Sequence, residues 1–319
     1  MELSQICSYE AGTKIASYLL VQEARVRRTR DDKPYLDLVF SDASGRINGK
    51  IWDAAEIDAP EPGTPVGVLA QVDSYNEQLQ LIVEKMFIVN EKEHREKGFN
   101  WELLIPRTKK DMDAMWQAVT DAVASVENPF LKKLLEKMII ENGEQIKKWP
   151  ASLVLHHAYL GGYLEHIFGM MEVALPAARS YTLDADLVLA GVLLHDIGKL
   201  GELSGFPNNH YTNEGNFLGH IVIGWHLVHS AIGEIEDFPI ELRLRLEHII
   251  LSHQGKYEYQ SPKMPAFPEA VLVHYVDELD ARLNMMDKVM AEDSSDSLWS
   301  NTRNYFKIPI YRGIADADD

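Results

Sequence analysis

Leu193-Leu194-His195-Asp196-Ile197-Gly198-Lys199 decides how this chain is read, because the apolar run Leu187 to Leu194 ends abruptly in an imidazole and a carboxylate. Adjacent His and Asp suit a cation. A neutral imidazole and one carboxylate oxygen can bind one ion while the second oxygen reaches another. Burying such a pair without partners costs several kcal/mol, on the order of any unpaired buried charge, so a cation or donor must stand opposite it. Further ligand-type residues lie on both sides in helix-like contexts: His166, His220, His253 and Asp277. Outward from the His195-Asp196 pair the intervals are 29 residues back, then 24, 33 and 24 forward, long enough for each residue to occupy its own helix. Eleven of the twelve histidines fall between residues 156 and 274, His94 being the exception. Of these, His226, His229, His248 and His274 are read as hydrogen-bonded core or rim residues, the ordinary fate of a lone His on an apolar helix face.

The order H, HD, H, H, D resembles the HD superfamily of metal-dependent phosphohydrolases, whose ligands are spread over a helical bundle. The segments His156 to His166, Glu202 to Gly205, Tyr211 to His220 and Ile250 to Pro262 are similar to the YhaM-type 3′-5′ exoribonucleases, and the first ninety residues resemble the small barrel that precedes the HD domain there. The resemblance covers nearly the whole chain. It implies one ion held by His166, His195, Asp196 and Asp277, a second held by His220 and His253, and Asp196 as the bridge. Two imidazoles and two carboxylates suit a borderline-hard divalent ion, Mn²⁺ before Fe²⁺, Co²⁺ or Mg²⁺. Water or hydroxide between paired ions is acidified and serves as nucleophile. Lys199, four residues after His195, shares its face on a continuing helix, and the matching family residue contacts phosphate. One position departs: where these exoribonucleases commonly have a second His after the Ser-His pair, this chain has Gln254, which hydrogen-bonds but does not titrate.

The composition is that of a globular chain of 319 residues, 46% hydrophobic and 25% charged, long enough for two domains. Leu187 to Leu194 is far short of a membrane span. The start, Met1 to Gln5, has neither a basic region nor an apolar core of signal-peptide type, and a single Cys7, read as a packing residue, excludes an internal disulfide framework. The expected compartment is the cytoplasm, without membrane contact. A net charge of −18 argues against tight non-specific binding to polyanions. The charge is uneven, however. Residues 1–97 carry 12 Lys+Arg against 17 Asp+Glu, a net of −5 that leaves −13 for the rest, and Arg25, Arg27, Arg28, Arg30 and Lys33 lie inside nine residues. That cluster is either a solvated hairpin tip or a phosphate track.

Period-two alternation predicts strands over Ile15–Arg30, Pro34–Phe40, Arg46–Trp52, Val66–Asp73 and Gln78–Val89, with turns at Asp31–Pro34, Asp42–Gly45 and Pro60–Gly63. Five short strands suggest an OB-type barrel over residues 1–90 or another small all-β domain, and the resemblance to the barrel that precedes the HD domain decides for the former. The charged stretch Glu91 to Gly98 reads as a solvated linker or a helical connector and opens the linker, residues 91–108. From Lys109 the spacing turns helical, with helices expected over Met112–Val123, Phe130–Met138, Leu155–Ala178, Asp184–His195, Gly219–Ile235, Ile240–Ser252 and Pro268–Met290, an all-α domain over 109–319 whose tail, Ala315–Asp319, frays.

The expectation is a two-domain metal-dependent phosphodiesterase that trims single-stranded RNA or DNA from the 3′ end. Arg25, Arg27 and Arg28 would track phosphates while Trp52, Tyr75 or Tyr35 offers bases a stacking face; Trp52 serves equally well as a barrel plug. Rival readings are a phosphomonoesterase or small-nucleotide hydrolase, favoured by the acidic surface; a non-catalytic scaffold decayed at Gln254; and a di-iron oxygenase of HD type. A homo-oligomer remains open.

Overall fold

The computed structural model describes residues 5–29, 31–52, 58–75, 78–293 and 297–313. The Cys7 side chain, Arg30 and the tail 315–319, each given a role in the sequence reading, lie outside them. The chain forms two compact units, Met1–Arg107 with Gly205–Asn209, and Thr108–Ser204 with His210–Asp319.

In the first unit, strands β1 (Lys14–Arg28), β2 (Pro34–Asp42), β3 (Gly45–Trp52), β4 (Pro65–Tyr75) and β5 (Gln78–Ile88) close a barrel in the order β1-β2-β3-β5-β4. Alternation sets the faces: Leu36, Leu38 and Phe40 of β2 point inward and are fully buried beside Leu19, Val66 and Leu81. β1 is too long for one partner. It pairs with β4 over Lys14–Leu20, is bulged between Val21 and Glu23, and continues along β2 to Arg28. The stretch expected as a linker carries α1 (Glu91–His94), whose His94 ring stacks on Phe87 at 5.1 Å, while the buried Phe99 meets Tyr18 edge-on at 5.4 Å.

The second unit is helical: α2 (Met112–Ser125), α3 (Pro129–Leu135), α4 (Gly143–Ile146), α5 (Gly162–Ser180), α6 (Ala185–Leu194), α7 (Lys199–Glu202), α8 (Asn213–Gly233), α9 (Ile240–Ser252) and α10 (Pro268–Glu292). Side-chain caps fix the starts. Asp111, Asn128, Asp184 and Thr212 accept from backbone N–H groups in the first turns of α2, α3, α6 and α8. α6 is the centre of the bundle, every residue from Leu187 to Leu194 being buried, which is why it is apolar all round. Among the described residues no helix is long and apolar enough to cross a membrane.

Three helices differ from the sequence expectation. α5 begins at Gly162, not near Leu155, because His157 (φ 47°) and Gly161 (φ 81°) are left-handed and cannot continue a helix. α8 begins six residues before Gly219, capped by Thr212, and Gly219 (φ 71°, ψ 158°) breaks it midway. The Phe130–Met138 helix passes at Glu136 into a π-helical turn.

Candidate metal centre

Six residues named from the sequence converge at the middle of the helical unit. His166 lies on α5, His195 and Asp196 directly follow α6, His220 follows the break in α8, His253 follows α9, and Asp277 lies on α10. The two oxygens of Asp196 face different groups. Oδ2 lies 3.4 Å from His195 Nε2 and 4.0 Å from His166 Nε2; Oδ1 lies 3.3 Å from His220 Nε2 and 3.5 Å from His253 Nε2. Asp277 Oδ1 completes the first group, 3.3 Å from His166 Nε2 and 3.9 Å from His195 Nε2. Within each trio, His166-His195-Asp277 and Asp196-His220-His253, the ligand-type atoms lie within 4.8 Å of one another.

All four imidazoles are held by Nδ1, which leaves Nε2 for the centre. His166 Nδ1 bonds to Asp280 Oδ2 (2.7 Å), His195 Nδ1 to Val192 O (2.8 Å), His220 Nδ1 to Glu202 Oε1 (3.1 Å) and His253 Nδ1 to Ile250 O (2.8 Å). Such outer contacts fix tautomer and ring orientation in metal sites. His166 Nε2, His195 Nε2, His220 Nε2 and Asp196 Oδ1 are buried without a hydrogen-bond partner. Four orphaned polar atoms aimed at one another are costly unless a cation joins them, so this donor set fits divalent metal.

Electrostatics agree. Burial would raise the pKa of Asp196, but the Lys199 ammonium and His195 hold it well below the ordinary carboxylate range. Asp277 is likewise lowered against its burial, chiefly by the His166 imidazole 3.3 Å away. Burial lowers His253, and it lowers His157 to about 4. Without metal, His166 is raised to about 9, since the Asp277 and Asp280 carboxylates beside its two ring nitrogens outweigh burial.

Local backbone geometry brings these residues close. A Cβ on Gly198 would lie 2.0 Å from His220 O, so only glycine lets the turn after Asp196 touch α8. Lys199 does not reach its place on a continuing helix. α6 ends at Leu194, three-residue turns follow, and Lys199 Nζ instead meets Asp196 Oδ2 at 2.5 Å, both side chains buried. Gln254 lies beside the centre, its amide nitrogen 3.3 Å from His253 Nε2. His274 donates Nδ1–H to His253 O at 2.7 Å and fills the space that a side chain on Gly255 would need. His226, His229, His248 and His274 belong to neither trio.

Comparison with known proteins places this arrangement. Residues 163–282 match the HD domain family, and residues 21–89 match the family described as OB-fold nucleic acid binding domain. The protein 3′-5′ exoribonuclease YhaM of Bacillus subtilis (strain 168) is 35% identical over 288 residues, 89% of this chain and 90% of that protein. The chain belongs to the YhaM family. Among solved structures, the second OB-fold domain of replication protein A from Methanococcus maripaludis aligns with 28% of this chain and 96% of its own at 17% identity, TM-score 0.25. A replication protein A heterotrimer bound to single-stranded DNA aligns with 28% of this chain and 70% of its own at 19% identity, TM-score 0.23.

In this YhaM-family chain the barrel residues named from sequence fall into a cross-strand pattern. Arg25 pairs with Asp37 and Asp37 with Lys50; Arg27 pairs with Tyr35 and Tyr35 with Trp52. These positions share the outer face. Tyr35 and Trp52 rings lie 5.1 Å apart, and Lys50 Nζ sits 5.7 Å from the Trp52 ring and 5.5 Å from that of Tyr75. Trp52 is 46% exposed and Tyr75 62%, so neither plugs the barrel. Arg28 alternates to the other side of β1, paired with Asp32 at 2.9 Å.

Sequence reasoning missed Asp280 and Asn284 as supports and gave Glu202 no role. Asp277, Asp280 and Asn284 stand at i, i+3 and i+7 on α10, a helical face that was visible in the sequence.

Proposed function

We propose that this chain is a metal-dependent phosphodiesterase that removes nucleotides from the 3′ end of single-stranded RNA or DNA. The observation that carries the proposal is Asp196, whose two oxygens are turned to two separate histidine groups with orphaned nitrogens. The family supports it, its Bacillus subtilis member being a 3′-5′ exoribonuclease. In this reading His166, His195, Asp196 and Asp277 hold one divalent ion and His220, His253 and Asp196 a second, Mn²⁺ being the best fit to imidazole with carboxylate. The metal supplies Lewis acidity at the phosphoryl oxygen and an acidified water. Asp196 holds its charge with Lys199 beside it, and the Lys199 ammonium offsets negative charge developing on the phosphoryl group. Gln254 donates its amide to a substrate oxygen.

The outer barrel face would hold the strand, Tyr35, Trp52 and Tyr75 by stacking and Arg25 and Arg27 at phosphates, while Arg28, on the other side of β1, stays outside this track. Residues 1–90 then serve binding, 91–108 connect, and 109–319 serve hydrolysis. The cytoplasm is the proposed compartment, which the single cysteine supports.

The deciding experiment is stepwise reconstitution of metal-free protein with Mn²⁺, Co²⁺, Fe²⁺ or Mg²⁺ on single strands labelled at either end. Metal-dependent release of mononucleotide from the 3′ end is expected. Digestion from the 5′ end, or full activity in chelator, overturns the proposal. The net charge of −18 favours a second reading, a small-nucleotide hydrolase, and turnover of mononucleotides faster than oligonucleotides would select it.

A further inference from the structure

His156 and His157 stand beside the centre without belonging to either trio. His157 is a non-glycine residue in the left-handed region (φ 47°), a conformation that persists only where its surroundings hold it. They do. The His157 backbone N–H donates to Asn284 Oδ1 at 2.7 Å, and its carbonyl accepts from Ala151 N at 3.1 Å and Tyr159 N at 2.9 Å. Asn284 also donates to Tyr159 Oη at 3.1 Å, and Tyr159 donates to Glu165 Oε2 at 2.9 Å, so the turn is tied to α10 and α5 together. The result is a second layer of imidazoles over His166, ring centroids 5.1 Å away for His156 and 5.4 Å for His157.

The two rings differ. His157 is buried, with Nε2 3.7 Å from Asp280 Oδ2. His156 is half-buried; its carbonyl accepts from Ser152 Oγ at 2.7 Å, and among the described residues the one hydrogen-bond contact of its ring is a weak 3.5 Å approach of Nδ1 to His157 Nδ1. Its Nε2 has no hydrogen bond among the described residues. Lys199 stands on the same side of the centre: its Nζ meets Asp196 Oδ2 at 2.5 Å, that oxygen lies 4.0 Å from His166 Nε2, and the His156 ring sits 5.1 Å from the His166 ring. A third cation is the first alternative, since nitrogens of His156, His157 and His166 lie within 4.8 Å. It fails for want of a ligand: His166 Nδ1 is bonded to Asp280, and its Nε2 faces Asp277.

We propose that the His156–His157 turn is a phosphate subsite beside the metal centre, in which His156 donates its free ring N–H to an oxygen of the terminal phosphate. The ligand class is a nucleotide phosphate, recognised between the His156 imidazole and the Lys199 ammonium. This rests on the phosphodiesterase reading above. Asn284 is a positioning residue, acting through the backbone of the turn.

The test uses full-length protein loaded with Mn²⁺ and measures bound metal, calorimetric affinity for inorganic phosphate and for adenosine 5′-monophosphate, and the KM and kcat of single-strand hydrolysis. His156→Ala should weaken both ligands at least tenfold with metal content unchanged. His156→Gln, which keeps a neutral donor, should recover most of that loss, as a purely structural role would not allow. Asn284→Ala should weaken phosphate less than His156→Ala, and the exposed His226→Ala should leave it unchanged. Wild-type phosphate affinity in folded His156→Ala overturns the subsite while leaving the phosphodiesterase reading intact. Loss of a metal equivalent in that variant also overturns it, by making His156 a ligand. Wild-type protein that takes up metal but neither binds phosphate nor hydrolyses strands overturns both readings.

Discussion

Glu202 Oε1 receives His220 twice, from the backbone N–H at 2.9 Å and from ring Nδ1 at 3.1 Å. The His220 hydrogen bonds lower the pKa of Glu202 against the burial that would raise it, so the anchor is charged. Glu202→Ala should free the ring while leaving the His166 group in place. Metal affinity at the His220 side should fall ~10- to 100-fold, the usual effect of removing an outer partner. A titration showing two equal, undiminished sites would contradict this role.

Asp196→Ala should abolish hydrolysis and reduce bound metal at both groups, because one side chain faces each of them. His274→Ala should behave differently. Its ring supports the His253 carbonyl at 2.7 Å, and its loss should cost ~1–3 kcal/mol of stability while the folded protein retains most activity. Denaturant melts and metal analysis separate the two. Equal losses of activity would mean the ligand set is misassigned.

Metal-free protein should lose stability as pH rises above ~7. His166 is raised to about 9 against an ordinary ~6.5, so its charged form contributes stability in full below ~6.5, and that contribution disappears as pH passes through about 9. Chelated protein melted at pH 7.5, 8.25 and 9, above the range in which the burial-lowered His157 and His253 gain stability with rising pH, should show decreasing transition temperatures. Mn²⁺ displaces that proton, so the loaded protein should show a flatter trend across the same interval. A flat profile in chelator would remove the charged His166 from the account.

Trp52→Ala should leave stability nearly unchanged, since the ring is 46% exposed, yet weaken long single strands by ~1–3 kcal/mol, the range for one base stacked on an aromatic ring. Hydrolysis of a small chromogenic phosphodiester should be unaffected. If long strands bind the variant as they bind wild type, the barrel face is not the platform.

Gln254→His places an imidazole beside His253 Nε2, where the amide nitrogen now lies 3.3 Å away. If a titrating group is useful there, turnover should rise and acquire a pH dependence near ~6.5, shifted by the metals. If Gln254 is a neutral donor to substrate, affinity should change without a new ionisation. Superimposable pH–rate profiles with equal rates would exclude position 254 from the working site.

The ligand-type residues were legible because each is a chemically expensive side chain in an apolar helical setting, and His195-Asp196 makes the expense unmistakable. The barrel was legible from alternation, as in Leu36, Leu38 and Phe40. Supports were not. Asp280 meets His166 across 114 residues, and its spacing from Asp277 gives only the shared helical face, not the histidine that it supports. The start of α5 was misplaced for a related reason: Leu155 and Ala158 carry helical spacing, while the left-handed His157 is imposed by Asn284, far away in sequence. Lys199 reaches Asp196 by a route that spacing alone did not imply, because Gly198 and the turns before it replace the continuing helix.

The placement of Asp277, Asp280 and Asn284 along one face of α10 has an evolutionary consequence. Each inserted or deleted residue rotates everything downstream by ~100°. A single insertion between Asp277 and Asp280 would therefore turn Asp280 away from His166 and Asn284 away from the His157 turn while leaving Asp277 in place. Lineages carrying this fold can exchange the intervening residues Glu278, Leu279, Ala281, Arg282 and Leu283, three of which are exposed Leu or Arg side chains, far more freely than they can change the length of the segment. Here spacing, more than identity, is what selection must preserve.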